Sequence, residues 1–179
     1  SVSDDIALNA TDTADLTITG WFNRDTFTTD DTVIAKRNGI AAGDIGYIIY
    51  IDDATDQLIF EASDGTDEYS LTSVSTFTAT GWHHFVVTWD ENSAANSEIY
   101  IDGVANNATD SGTIGNIGTL TNALALFFGA EANVGVGNPF DGKLDEVRLY
   151  NRVLSVDEIG RLYSLVTPTG IDAGLDGYW

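Results

Sequence analysis

Few carboxylates in this sequence are placed to catalyse a reaction. Glycoside hydrolysis with retention needs two carboxyl groups about 5 Å apart on one face. Glu61 and Asp64 come nearest to such a pair. Asp64, however, lies in an Asp-Gly-Thr-Asp segment that is typical of a turn. The sequence therefore offers no catalytic residues, and we expect no enzyme activity.

The two histidines of the chain, His83 and His84, are adjacent. Neighbouring side chains of a β-strand point to opposite faces, so the pair should not share one zinc ion. We expect one imidazole to be half-buried and the other exposed. No G-x-S-x-G segment that would present a serine nucleophile is present either.

The charge balance is strongly acidic and limits the partners. Seven Lys and Arg oppose 28 Asp and Glu, giving a formal net charge of -21. Such a field repels nucleic acid and anionic lipid and attracts divalent cations. No apolar run approaches the roughly 20 residues of a membrane span, so we expect no membrane insertion. The Asp-rich segment 52–56 lacks the glycine and the distant glutamate of an EF-hand loop, and it suits a hairpin tip.

Short period-2 segments separated by Gly, Asp and Asn predict an all-β chain. Many short strands with almost no helix are typical of a two-sheet antiparallel β-sandwich, or jelly roll, in one domain. The predicted strands are Asp15 to Phe22, Tyr47 to Ile51, Gln57 to Ala62, Glu68 to Thr72, Trp82 to Trp89, Glu98 to Ile101, Ala123 to Gly129 and Lys143 to Tyr150.

One short C-terminal helix is predicted after the last of these strands. Ser155 and Glu158 form an S-x-x-E capping box, which satisfies free N–H groups at a helix start. The helix has one apolar side to lay on the sandwich, formed by Val156, Ile159, Leu162 and Tyr163.

The segment FDGKLDEVRLYNRVLSVDEIGRLY, residues 140–163, resembles the C-terminal signature of bacterial laminin-G-like domains. These domains are members of the concanavalin A-like lectin/glucanase superfamily. DLTITGWF resembles the family's first long strand, and GWHHFVVTWD followed by IYIDGV resembles its central hairpin. The matches occur in the family's order over most of residues 1–163. The resemblance implies two antiparallel sheets with one curved face, in a domain often attached to secreted enzymes, adhesins and surface proteins.

The resemblance also implies a structural calcium ion. An Asp at the start of the family's last strand is a calcium ligand, and the matching residue here is Asp145. Calcium takes six to eight oxygen ligands, so other groups would have to complete the site. The alternative is that Asp145 pairs with Arg148 or caps a neighbouring loop.

Carbohydrate binding is the other implication of the resemblance. Sugar sites use exposed aromatic side chains beside Asp, Asn and backbone donors. Trp21, Trp82 and Trp89 all lie in strand patterns, for which we expect burial in the core. The candidates for contacts at the rim of a sugar site are Tyr47, Tyr50, Tyr69 and the Gly-rich loop Val134 to Asn138.

The C-terminal residues suggest a repeat. Residues 164–173 contain Pro and Gly and are predicted to be a linker between the sandwich, residues 1–163, and a last strand, residues 174–179. That strand resembles the opening strand of a family domain, so we expect the chain to be one unit of a head-to-tail array. The strand could dock on its own domain or on a neighbouring copy, and we favour the neighbouring copy by a small margin. Its residues are Gly174, Leu175, Asp176, Gly177, Tyr178 and Trp179.

Together these features predict a non-catalytic adhesion or structural module of a repetitive extracellular or cell-surface protein. Its expected partners are glycans, another surface protein or neighbouring copies of the domain. Two alternatives remain open: a calcium-dependent carbohydrate-binding module of a secreted enzyme, and a subunit that forms fibres by strand donation.

Overall fold

The computed structural model of the chain describes residues 1–3, 15–40, 43–131 and 138–164, and the backbone of residues 175–178. Most of the Gly-rich loop 134–138, the linker from residue 165, Gly174 and Trp179 lie outside the described residues.

The described residues form two six-stranded antiparallel sheets. Sheet I has the order β12-β11-β1-β6-β7-β8, and sheet II has the order β10-β2-β3-β4-β5-β9. In chain order the strands are β1 (Leu16–Arg24), β2 (Asp31–Lys36), β3 (Gly46–Ile51), β4 (Gln57–Ser63), β5 (Glu68–Thr76), β6 (Trp82–Trp89), β7 (Glu98–Ile101), β8 (Val104–Ala105), β9 (Asn107–Ser111), β10 (Phe127–Phe128), β11 (Gly142–Tyr150) and β12 (Leu175–Tyr178). The predicted all-β sandwich is confirmed.

The hydrophobic core lies between the two sheets and is rich in aromatic residues. Phe22 of β1 meets Phe77 edge to face, with ring centroids 4.9 Å apart. Trp89 of β6 contacts Phe60 and Tyr69 of sheet II at 5.8 and 5.7 Å. Alternate residues of β1 and β6 enter this core, so the intervening residues of these two strands face outward from sheet I.

The described residues contain one α-helix, α1 (Val156–Tyr163), which packs on the outer face of sheet I, and two short 3-10 helices, Ala94–Asn96 and Ile114–Asn116. The predicted capping box is present, with the Ser155 side chain accepting from the Glu158 N–H and the Glu158 carboxylate accepting from the Ser155 N–H. Ile159 and Leu162 are buried against Val86, Tyr100, Tyr150 and Leu154. Among the described residues no helix is long and apolar enough to cross a membrane, and α1 itself is only about 12 Å long.

A buried ion network joins the two sheets at one end of the sandwich. Arg24, at the end of β1, is 1% exposed and pairs with Asp31 at the start of β2. Its second nitrogen lies 2.6 Å from Asp56 in the β3–β4 turn. Breaking such a pair leaves a buried charge without compensation, so this network fixes the relative position of the strand ends.

Candidate functional site

The outer face of sheet I carries an aromatic surface beside α1. Antiparallel pairing sets Trp21 of β1 opposite His84 of β6, and Asn23 opposite Trp82. Phe22 and Phe85 fill the core face of the same strands, so Trp21 and Trp82 are directed outward. Trp82 remains 44% exposed, which leaves much of its indole available for contact.

Side chains of helix α1 and strand β6 contact Trp21 and fix its position. The ring of Tyr163, at the end of α1, stacks on Trp21 at 5.9 Å with an interplanar angle of 25°. The imidazole of His84 lies 5.1 Å from Trp21 and 5.9 Å from Tyr163. These contacts restrict the Trp21 ring, so it is held in place before any ligand arrives.

A β-bulge brings two acidic side chains to the same surface. The register between β1 and β11 shifts between Thr19 and Trp21, and Asp145 is set opposite Trp21. Glu146 has a φ of 51°, a left-handed backbone conformation that is strained for a non-glycine residue. Consecutive residues of a regular strand face opposite sides, but here both Asp145 and Glu146 line one cavity.

Trp21, Trp82, Asp145 and Glu146 line an open cavity of about 390 Å³, which we call the tryptophan shelf. Ligand sites commonly have volumes of about 300–1,000 Å³. The indoles offer flat apolar faces, and the carboxylates accept hydrogen bonds at the edge. The shelf therefore has the chemistry to hold a ring that presents an apolar C–H face to the indoles and hydroxyl groups to the carboxylates.

The expected roles of the aromatic residues need correction. Trp89 is in the core as predicted, but the expected core burial is wrong for Trp82 and for Trp21, which line the shelf. The sequence contained a usable signal, since Trp82 and Trp89 are seven positions apart and cannot share one face of a regular strand. Tyr47, Tyr50 and Tyr69 are all buried and are not rim contacts. Tyr47 and Tyr69 face the core, and the Tyr50 hydroxyl donates to Glu61.

The two histidines lie on opposite faces, as predicted, although neither is fully exposed. His83 is one-third exposed, and its Nδ1 lies 3.0 Å from Asp102. His84 is buried on the outer face, because Trp21 and Tyr163 cover it, and a hydrogen bond of 3.0 Å joins its Nε2 to Thr19 Oγ1. Burial lowers the pKa of His84 to about 4. His84 is therefore neutral at pH 7.

Glu61 and Asp64 have separate structural roles. Glu61 lies on the outer face of sheet II, accepts from Tyr50 and pairs with Arg37 at 2.9 Å. Burial raises the pKa of Glu61, although the hydrogen bond from Tyr50 and the charge of Arg37 oppose the shift. Asp64 accepts from the backbone N–H groups of Thr66 and Asp67, as predicted for a turn residue. Those hydrogen bonds lower the pKa of Asp64.

Asp145 lies on the shelf rather than in a cluster of acids. Its Oδ1 accepts the backbone N–H of Glu146 at 2.8 Å, and Arg148 pairs with Glu146 instead, at 3.0 Å. In the described part of the chain, Asp30, Asp52 and Asp53 alone form a group of three whose oxygens lie within 4.8 Å of one another. Calcium binding at Asp145 stays a prediction.

The described part of the C-terminal segment forms an edge strand. Leu175–Tyr178 pairs with β11 of the same chain, with Arg148 opposite Tyr178, Leu149 opposite Gly177 and Tyr150 opposite Leu175. The pairing covers only one end of β11. Donation of this strand to a neighbouring copy stays a prediction.

The sequence also places the chain in a family. Residues 2–160 match the laminin G family model described as the concanavalin A-like lectin/glucanases superfamily. The chain belongs to this superfamily, in agreement with the resemblance of its motifs. No curated protein matches the sequence.

Solved structures share the fold at low sequence identity. A candidate carbohydrate-binding protein from Bacteroides ovatus has a TM-score of 0.72 and 18% identity, and the alignment covers 100% of this chain but 48% of that chain. The CBM40 domain of the Ruminococcus gnavus IT-sialidase, bound to alpha2,6 sialyllactose, has a TM-score of 0.61 and 17% identity over 84% of this chain and 83% of that one.

A third similar structure comes from botulinum neurotoxin type C, whose cell entry depends on two ganglioside molecules. Its TM-score is 0.57 at 15% identity, over 87% of this chain and 36% of that chain. The present chain therefore spans about half or less of the Bacteroides ovatus and neurotoxin proteins. At these identities the likeness establishes the shared fold.

Proposed function

We propose that this chain is a non-catalytic carbohydrate-binding module whose site is the tryptophan shelf. The single observation that carries the proposal is the cavity lined by Trp21, Trp82, Asp145 and Glu146. It combines exposed aromatic faces with hydrogen-bond acceptors, the combination that a sugar ring requires. The structures of similar fold that are described as binding carbohydrates support the same conclusion.

The module acts outside the cell, on glycans presented at a surface. A net charge of -21 keeps the domain soluble and repels nucleic acid and anionic lipid. Family membership supports an extracellular place, since laminin-G-like domains are often attached to secreted or surface proteins. In this proposal the domain supplies adhesion to its parent protein and leaves the glycan intact.

A second function, assembly of copies through strand donation, is favoured by one observation. The C-terminal strand β12 pairs with β11 through three residue pairs at one end only. A short edge strand that follows a linker can pair with its own sheet or with that of a neighbour. A repetitive or fibre-forming surface protein would use this contact between copies.

The shelf is tested by a glycan array followed by titration calorimetry of the glycans that bind. Trp82→Ala removes the more exposed indole, so we expect binding to fall at least about tenfold, as for a central aromatic anchor. The fold should be unchanged, because Trp82 is 44% exposed and lies outside the core.

Val74→Ala is a matched control, because Val74 is 60% exposed on β5 of sheet II, away from the shelf. It should bind every glycan as the unaltered chain does. Equal binding by Trp82→Ala and the unaltered chain would contradict the proposed site, and an array with no bound glycan would contradict the proposed function.

A further inference from the structure

Of the two carboxylates that line the tryptophan shelf, one has a cationic partner among the described residues and the other has none. Glu146 is paired with Arg148 at 3.0 Å. Lys143, the other cation of β11, is directed to Asp25 at 3.7 Å. Within the described residues no Lys, Arg or His lies within salt-bridge distance of Asp145, whose Oδ1 accepts only the Glu146 N–H. The shelf therefore presents one exposed carboxylate without a cationic partner beside two indoles.

This arrangement favours a ligand that carries a positive charge next to a ring with an apolar C–H face. An ammonium group would pair with the Asp145 carboxylate, and the adjacent ring would lie on the indole of Trp82. A cation near an indole gains further attraction from the negative face of the π-system. Anionic sugars would face Asp145, Glu146 and the overall charge of -21, and would be repelled.

We propose that the tryptophan shelf is selective for amino sugars, with the ammonium of a glucosamine-type residue on Asp145 and its ring on Trp82. The proposal rests on the proposed function and adds the class of saccharide that the site prefers. It also assigns two separate roles. Trp82 binds the ring of any hexose that fits, and Asp145 makes the affinity higher for a hexose with an ammonium group than for a neutral one.

The test uses three trisaccharides with the same β-1,4-linked backbone that differ at carbon 2. They are the glucosamine trimer, which carries ammonium groups, the fully N-acetylated trimer and cellotriose. Sialyllactose serves as the anionic probe. Titrations run near about pH 6, where an aliphatic amine is protonated. The salt concentration is about 0.15 M, where attraction beyond roughly 8 Å is screened. A chelator is present, because calcium at Asp145 would compete with the ammonium.

For the unaltered chain we expect the glucosamine trimer to bind about fivefold more tightly than cellotriose, as one exposed ion pair allows. Sialyllactose should bind most weakly. Asp145→Asn should abolish the difference in affinity between the glucosamine trimer and cellotriose. An unchanged melting temperature and continued binding of cellotriose would show that the variant folds and keeps its shelf.

Asp67→Asn separates a local ion pair from general attraction to an acidic protein. Asp67 is exposed in the turn between β4 and β5 of sheet II, whereas the shelf lies on the outer face of sheet I. Its replacement removes the same charge and should leave all affinities unchanged.

Two results would overturn the inference while the proposed function stands. One is equal binding of the glucosamine trimer and cellotriose by the unaltered chain. The other is an equal loss of glucosamine binding in Asp145→Asn and Asp67→Asn, since that would show attraction to the whole protein. If no saccharide binds any variant, the proposed function fails together with the inference.

Discussion

His84 is the buried titratable residue beneath Trp21 of the shelf. It lies under Trp21 and Tyr163 and is bonded to Thr19, so its neutral ring supports the aromatic surface. Asp102 and Arg148 also act on it, the first favouring the charged imidazole and the second opposing it, but burial is the largest influence on its pKa. Protonation of His84 would place a charge in a nearly water-free position.

The pKa of His84 predicts a specific loss of stability in acid. Its pKa is about 4 in the folded chain and about 6.5 when unfolded. The unfolded chain therefore takes up the proton first, so the contribution of His84 is complete above about pH 6.5 and falls towards pH 4. Between pH 6.5 and pH 4 the unfolding free energy should therefore fall by roughly 3 kcal/mol because of His84. Urea unfolding at a series of pH values measures it.

His84→Gln should flatten the decline in unfolding free energy between pH 6.5 and pH 4, because glutamine does not titrate. His83→Gln is the matched control for the loss of one imidazole from β6, and the decline that we attribute to His84 should still be present in it. An unchanged slope in His84→Gln would show that the carboxylates alone determine the acid response.

At the scale of elements, most of the fold could be predicted from the sequence because its strands alternate clearly. The strand from Trp82 to Trp89 and the capping box at Ser155 were predicted at their observed positions. Strand β2 was not predicted, because all six residues from Asp31 to Lys36 are buried and period-2 alternation disappears when both faces are covered. The predicted strand Ala123 to Gly129 is reduced to Phe127–Phe128.

The candidate site was predicted only in part, for a similar reason. The sequence marked Trp21, Trp82 and Asp145 as residues of interest, but it did not bring them together. Their proximity depends on the register of β1 with β6 and β11 and on the bulge at Glu146. For Trp21 the sequence did contain a signal, since Leu16, Ile18 and Phe22 share one face of a regular strand and Trp21 lies on the other.

The edge strand β12 makes a prediction about the stability of sheet I. Deleting residues 174–179 removes its pairing with Arg148, Leu149 and Tyr150 and exposes that edge of β11. If the strand docks on its own domain, we expect the melting temperature to fall by about 2–4 °C for each kcal/mol lost. If it is donated, the full chain should sediment as an assembly and the truncated chain as a monomer.

A synthetic peptide of residues 174–179 provides the control for this deletion. It should restore the melting temperature of the truncated chain by occupying the vacated edge, while a peptide of the same composition in scrambled order should not. A truncated chain that melts and sediments like the full chain would show that the segment contributes neither stability nor assembly.

At the scale of the whole molecule, the charge of -21 makes calcium-linked stability the main prediction. A bound dication would reduce the self-repulsion of the acidic surface. A site filled at about 100-fold over its dissociation constant adds roughly 2.7 kcal/mol to the unfolding free energy. The melting temperature should fall with chelator and recover with calcium but not with sodium.

The position of that calcium ion is tested by Asp145→Ala, which should abolish the response to chelator. Asp52→Ala is the comparison, since Asp52 belongs to the group with Asp30 and Asp53. A response that persists in Asp145→Ala and disappears in Asp52→Ala would contradict the assignment of calcium to Asp145.

The bulge at Asp145 and Glu146 also affects how molecules of this protein meet one another. Strand β12 pairs with only one end of β11, so in the described chain the backbone from Gly142 to Val147 has no partner strand on that side. An edge without a partner strand can pair with a second molecule, and charged side chains or a bulge on the edge make such pairing unfavourable. Here Lys143, Asp145 and Glu146 supply the charges, and the bulge lies at Asp145 and Glu146. Some of the residues that we propose for sugar recognition would thus also protect the domain from aggregation. Their replacement by apolar residues would expose an edge strand that can pair with other molecules.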